Sequence, residues 1–301
     1  MVKKVPRYAV LKTVLPEVLI YQARLVRRSL RRASKLARYR RLSFDSVPVL
    51  FVNSFPKSGT HLMTQVLRGF THLGPAVDSG LPAIVTYLGE TGQERSLQAI
   101  LNDLERLLPG DIAYGHLHAV PEIAARLSQQ GIAAYFILRD PRDVAVSHVH
   151  YITNGQSNHI HHLYYTQTLH TFDERLKTSI LGLPGVEAPF PNINQRFEPF
   201  IGWLEQPALL TLHYEEFLSR RFETLGHVFD HAVQRGFPAN CTREVAIQRL
   251  AVNIDPHRSP TFRSGKSGEW QKSFNDEHKH IFKEVAGDLL IRLGYEKNND
   301  W

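Results

Sequence analysis

Residues 49–70 read VLFVNSFPKSGTHLMTQVLRGF, and their reading decides the fold. Val49, Leu50, Phe51 and Val52 form a β-favouring apolar run, Pro56 and Gly59 mark a turn, and Leu62, Val66 and Phe70 recur at helical period. The pattern predicts strand, loop, helix. The loop opens a helix whose first amides have no intrahelical acceptor. The N–H groups of Ser58, Gly59, Thr60 and His61, together with the helix dipole, therefore favour an anion; Gly59 allows close backbone approach and Lys57 adds a cation. The stretch reads as a phosphate-binding loop, though not of the G-x-x-x-x-G-K-[ST] order, because Lys57 precedes Gly59. The bland alternative is a Ser/Gly turn that caps an ordinary α/β helix.

The rest of the composition bounds the class. A chain of 301 residues with 43% hydrophobic and 22% charged content suits one large α/β domain. A single cysteine, Cys241, rules out an intramolecular disulfide framework and suits a reducing compartment. No apolar run approaches the ~20 residues of a membrane span, and no signal-peptide pattern is evident, so a cytoplasmic protein is expected. The formal charge of +7 is uneven: residues 1–45 hold 13 of the 36 Lys and Arg against Glu17 and Asp45, which makes them +11 and the remainder −4.

Within that basic segment Leu19, Ala23, Val26, Leu30, Ala33 and Ala37 recur at steps of four and three, with Arg27, Arg28, Arg31, Arg32 and Arg38 between them. A basic amphipathic helical arm over 1–45 is expected, followed by one domain over 46–301. Two readings stand: a helix laid on the domain with its charged face in solvent, or attachment to an anionic membrane surface or acidic partner. Few aromatics accompany the charges and no nucleic-acid motif follows, so no nucleic acid is expected.

Further along, residues 75–95 read mostly as loop and 97–108 as helix. Asp111–Leu117 reads as a short buried strand, Pro121–Gln130 as helix and Ala133–Leu138 as a strong strand. That last strand runs into RDPRDVAVSHVHY, residues 139–151, where Pro141 suits a helix start. Arg139 at the strand end and Ser147 two turns into the helix can converge on one anion. Residues 154–200 have weak periodicity and include His159, His161 and His162. With no further ligand at metal spacing, a solvated or substrate-facing loop of lid length is expected, and no metal. Leu209–His213 reads as another strand, with helices over 217–232, 243–250 and 276–293.

FPKSGTH resembles the 5'-phosphosulfate loop of the sulfotransferases that use 3'-phosphoadenosine 5'-phosphosulfate (PAPS). Arg139 and Ser147 match the family's 3'-phosphate site in spacing. LHYEEF, residues 212–217, is similar to the segment whose Tyr, here Tyr214, contacts adenine. FRSGKSGEWQKSF, residues 262–274, resembles the family's closing Gly-rich signature, with Arg263, Ser264 and Gly265 in the nucleotide-binding positions. The resemblance implies a P-loop-like three-layer α/β fold with a central parallel sheet, PAPS as co-substrate and PAP, 3'-phosphoadenosine 5'-phosphate, as product. The family's catalytic His lies in a K-T-H-L/F stretch, and Tyr114-Gly115-His116-Leu117 occupies that place. His116 is the expected general base, with His118 as fallback, and Lys57 the group that neutralises the leaving oxygen.

Three departures bear on nucleotide binding: Leu62 stands where an aromatic is common, Tyr114 replaces the Lys, and Ser264 replaces the Lys of Arg-Lys-Gly. The expected activity is sulfuryl transfer to a hydroxyl or amine of a small-molecule acceptor. The competing readings are a nucleotide-dependent phosphotransferase, against which the loop order counts, and an inactive nucleotide-binding module held at a membrane by its basic arm.

Overall fold

The computed structural model describes residues 17–155, 157–185, 189–259 and 265–301. Arg263 and Ser264 of the expected nucleotide site lie outside the described residues. Six strands form one sheet: β1 (Val49–Ser54), β2 (Val77–Asp78), β3 (Ile84–Val85), β4 (Asp111–His116), β5 (Ile132–Leu138) and β6 (Leu209–His213). Their order is β2-β4-β1-β5-β6, with β3 also against β4, and all the pairings are parallel.

Because the sheet is parallel, its central strands are buried on both faces and carry near-continuous apolar runs. Successive side chains alternate between the two cores. Val49 and Phe51 of β1, with Ile132, Ala134, Phe136 and Leu138 of β5, enter one cluster. Leu50 and Val52, with Ala133, Tyr135 and Ile137, enter the other. Helices α1 (Glu17–Tyr39), α2 (Thr60–Gly69), α3 (Leu97–Glu105), α4 (Pro121–Leu127), α5 (Pro141–His150), α6 (Phe172–Leu181), α7 (Ile193–Ile201), α8 (Glu216–Ser219), α9 (Arg221–Gln234), α10 (Arg243–Val252), α11 (Trp270–Ser273), α12 (Asp276–Ala286) and α13 (Leu289–Arg292) complete the fold. α2, α9 and α10 cover the second cluster, while α4 to α7 and α12 cover the first. The result is the expected three-layer α/β architecture.

Several local expectations are corrected. The 75–95 stretch contributes two short strands, because their backbones pair with β4 at Asp111 to His116. Residues 154–200 are not a solvated loop. They contain a π-helical turn at Tyr164–Thr168 and the helices α6 and α7, each opened by a capping box, Thr171 with Glu174 and Asn192 with Gln195. His161 there is buried, and His148 stacks on Phe190 at 4.6 Å between ring centres. The expected 276–293 helix breaks at Gly287, whose φ of 57° is left-handed.

α1 differs from the first of its two readings. It lies on the domain, but through its charged face. Arg28 is buried in an ion pair with Asp111, Arg32 reaches Asp111 at 3.2 Å, and Arg31 donates to the Asp78 carbonyl at 2.8 Å. Among the described residues no helix is long and apolar enough to cross a membrane.

Candidate active site

The site forms at the C-terminal ends of β1, β4 and β5, where the strands of a parallel sheet hand over to helices. β1 ends in Asn53 and Ser54, both fully buried. Asn53 bonds both backbone groups of Leu117, accepting from its N–H at 2.8 Å and donating to its carbonyl at 2.9 Å, which fixes the exit of β4. Trp203 adds a third bond by donating its indole N–H to the same carbonyl at 2.7 Å.

His116 is thereby held beside Ser54. Its Nδ1 lies 2.9 Å from the Ser54 carbonyl and 3.1 Å from Ser54 Oγ, which in turn is 2.7 Å from Thr60 Oγ1. A carbonyl only accepts, so Nδ1 carries the proton and Nε2 keeps its lone pair. Burial pushes the imidazole below its ordinary 6.5, and the nearby Lys57 cation adds to the fall against the pull of the Ser54 carbonyl. A neutral imidazole with Nε2 unprotonated results. His118 turns elsewhere: its N–H bonds Thr86 Oγ1 at 3.2 Å, and its ring meets the edge of Phe200 at 5.0 Å.

The loop between β1 and α2 is conformationally committed. Lys57 has φ 72° and Gly59 φ 101°, both left-handed. A Cβ on Gly59 would lie 2.6 Å from the Tyr214 ring, so glycine is required by backbone and by space. Lys57 Nζ sits 3.8 Å from the centre of the Tyr151 ring, at the π-helical turn Tyr151–Gly155 that follows α5. His61, on the first turn of α2, is held neutral: burial first, then Lys57 and His116, lower it to about 4. The positive character of the loop therefore comes from Lys57 and the amides of the α2 N-terminus.

A second cluster forms where β5 ends. Arg139 donates to Asp143 Oδ2 at 3.0 Å and to the Lys266 carbonyl at 2.8 Å, and its guanidinium lies 4.7 Å from the Tyr214 ring centre. Asp143 also accepts from the N–H of Gly268 at 2.9 Å and of Trp270 at 3.0 Å. It thus pins the Gly265-to-Trp270 loop over the start of α5. Ser147, four residues on, shares the face of α5 that carries Asp143. Arg142 serves structure: it pairs with Asp140 at 2.7 Å and Glu296 at 2.6 Å, and lies 3.9 Å from the Trp270 ring.

Tyr214 joins the two clusters, its ring lying against Gly59 and within 4.7 Å of the Arg139 guanidinium. Two buried polar atoms in these clusters have no hydrogen-bond partner among the described residues: Ser58 Oγ in the loop and Arg139 Nε at the β5 end. Both are donors. Buried donors normally find acceptors, so the arrangement fits a ligand that carries one anionic group at the loop and another beside Arg139. Sequence reasoning missed Asn53, Ser54 and Asp143. Two polar residues closing an otherwise apolar buried strand were the available sign of the first two.

A cavity of about 190 Å³ lies between α1, α2 and β4, lined by Arg24, Thr64, Arg68, Asp78, Ser79 and Tyr114 among others. Tyr114 and His116 lie on one face of β4, and Thr60 and Thr64 are one turn apart on α2. The cavity is therefore walled by β4, which carries His116, and by α2.

No protein-family model and no curated protein matches the chain. Among solved structures, mouse sulfotransferase SULT7A1 complexed with PAP superposes at a TM-score of 0.54, with 18% identity over 84% of this chain and 87% of that one. Retinol dehydratase in complex with androsterone and the inactive cofactor PAP gives 0.53 at 18% identity, over 80% of each chain. Retinol dehydratase with retinol and PAP gives 0.54 at 18% identity, over 80% and 81%. These are structures of PAP-bound enzymes. The chain has the sulfotransferase fold.

Proposed function

We propose that the protein transfers a sulfuryl group from PAPS to a hydroxyl or amine of a small polar acceptor. The observation that carries the reading is the pair of orphaned buried donors, Ser58 Oγ and Arg139 Nε, in the clusters that flank Tyr214. When bound, PAPS supplies the activated sulfuryl group. Lys57, Ser58 and the amides of Gly59, Thr60 and His61 would hold its 5'-phosphosulfate end. Arg139, Ser147 and the loop that begins at Gly265 would hold the 3'-phosphate, and Tyr214 would contact the adenine.

In this reading His116 Nε2 takes the acceptor's proton as the acceptor oxygen or nitrogen bonds to sulfur. The bond between sulfur and the 5'-phosphate oxygen breaks, and its electron pair leaves on PAP. Lys57 neutralises the charge that gathers on that oxygen, a contact worth most at the transition state. The Ser54 carbonyl stabilises the imidazolium formed on His116 through Nδ1–H. The polar cavity beside Tyr114 is the place for the acceptor's body, and its lining of Arg24 and the Arg68–Asp78 ion pair favours polar acceptors over purely apolar ones.

The test is turnover, read as PAP release from PAPS over a panel of polar acceptors. His116→Ala should lower kcat by about 10²–10⁴-fold with PAP affinity unchanged. Neutral His116 is the active form, so kcat/KM should fall as pH drops through its folded-state pKa, and burial places that fall below 6.5. Full activity in His116→Ala, or an acidic limb above 6.5, contradicts the assignment.

A further inference from the structure

We infer that the outer face of α1 is a docking surface for an anionic lipid bilayer. A helix on a globular domain ordinarily turns its apolar stripe inward. Here the cations hold the domain: Arg28 and Arg32 on Asp111, Arg31 on the Asp78 carbonyl and Lys35 on the Thr71 carbonyl. The apolar row of Leu19, Ala23, Val26, Leu30, Ala33 and Ala37 stands exposed along the outside. Leu19 is 52%, Val26 59% and Leu30 66% accessible, and Leu42, just past the helix, is fully so. Single exposed aliphatics are common, but a row along one helix face is a continuous patch that calls for a partner.

Charge identifies the partner. On a helical wheel Arg27 and Arg38 border one side of this row, so a surface that takes the row meets cations alongside it. A bilayer with anionic headgroups satisfies both, with aliphatic side chains at the acyl boundary and guanidinium groups among phosphates. A second copy of the chain satisfies only one, because its matching row brings no acidic residue between Glu17 and Asp45 to meet those arginines. The attachment is also rigid. Arg28 is buried in its pair with Asp111, the first residue of β4, and Arg24 lines the cavity that holds Tyr114. Docking through α1 therefore holds that cavity close to the membrane surface.

The test is co-sedimentation of the full chain with phosphatidylcholine vesicles and with vesicles containing phosphatidylglycerol, at low and high salt. Pelleting should require the anionic lipid and weaken with salt, and should fall at least about tenfold in the double variant Val26→Glu, Leu30→Glu. Both positions are exposed, so the variant should keep the wild-type urea midpoint, which separates lost docking from misfolding and does not depend on the enzymatic reading. Absence of pelleting at low salt, or pelleting that the double variant retains, overturns the inference. So does a concentration-dependent dimer in light scattering that the double variant abolishes, since the row would then belong to a second copy.

Discussion

α1 and α2 are both amphipathic helices, yet they face opposite ways. α2 follows β1 after a short loop, and the crossover lays it against the sheet it has just left. Met63, Val66 and Leu67 are fully buried there, with Phe70 just beyond its end. α1 meets the edge of the sheet, where the surface is polar: a buried Asp111 carboxylate and the carbonyls of Thr71, Asp78, Arg106 and Pro109 all accept from its side chains. The edge selects the cationic face, and the aliphatic row is left outside. Periodicity thus predicts a helix in both cases, but which face turns inward depends on the chemistry of the neighbour.

The comparison can be broken at either helix by urea unfolding of single variants. The largest effect should come from Asp111→Ala, which leaves Arg28 buried without its carboxylate and should destabilise by about 3–5 kcal/mol. A change near zero would mean that the charged face does not hold α1. Met63→Ala in α2 empties a fully buried site and should cost about 2–5 kcal/mol. Leu30→Ala in α1 removes an aliphatic of the same class from solvent and should stay within about 0.5 kcal/mol. A loss at Leu30 equal to that at Met63 would place the α1 row in a protein core and sink the contrast.

Much of the site was legible for the same reason that α2 was. β1, β5 and β6 are largely apolar runs, and parallel sheets deliver the residues that follow such runs to one edge. Lys57, Arg139 and Tyr214 each follow a strand end, so motif and geometry agree. His116 was named by its match to the family's K-T-H-L/F stretch, but what sets its tautomer is Ser54, which accepts from Nδ1, and Asn53, which holds the strand exit. Those contacts join residues more than sixty positions apart, and no local pattern announces them.

Asp143 was in plain view within RDPRD but reads as an ordinary first-turn acid. Its role appears only when the 265–270 loop returns to it from the far end of the chain. The helices between 171 and 201 were missed because their buried faces mix polar and aromatic groups. His148 and Tyr165 both meet Ser179 Oγ, at 2.9 and 3.0 Å, and so the apolar period is diluted. The capping boxes at Thr171 and Asn192 were the signs that survived that dilution.

The most direct test of the central claim, that the loop at Lys57 and the cluster at Arg139 together recognise a nucleotide with two anionic ends, is calorimetric titration of PAP beside adenosine 5'-monophosphate. Wild type should prefer PAP by at least about tenfold, the scale of a charge-assisted hydrogen bond, and Arg139→Ala should lose that preference while binding the monophosphate as before. Equal affinity of the wild-type protein for the two nucleotides would contradict the account.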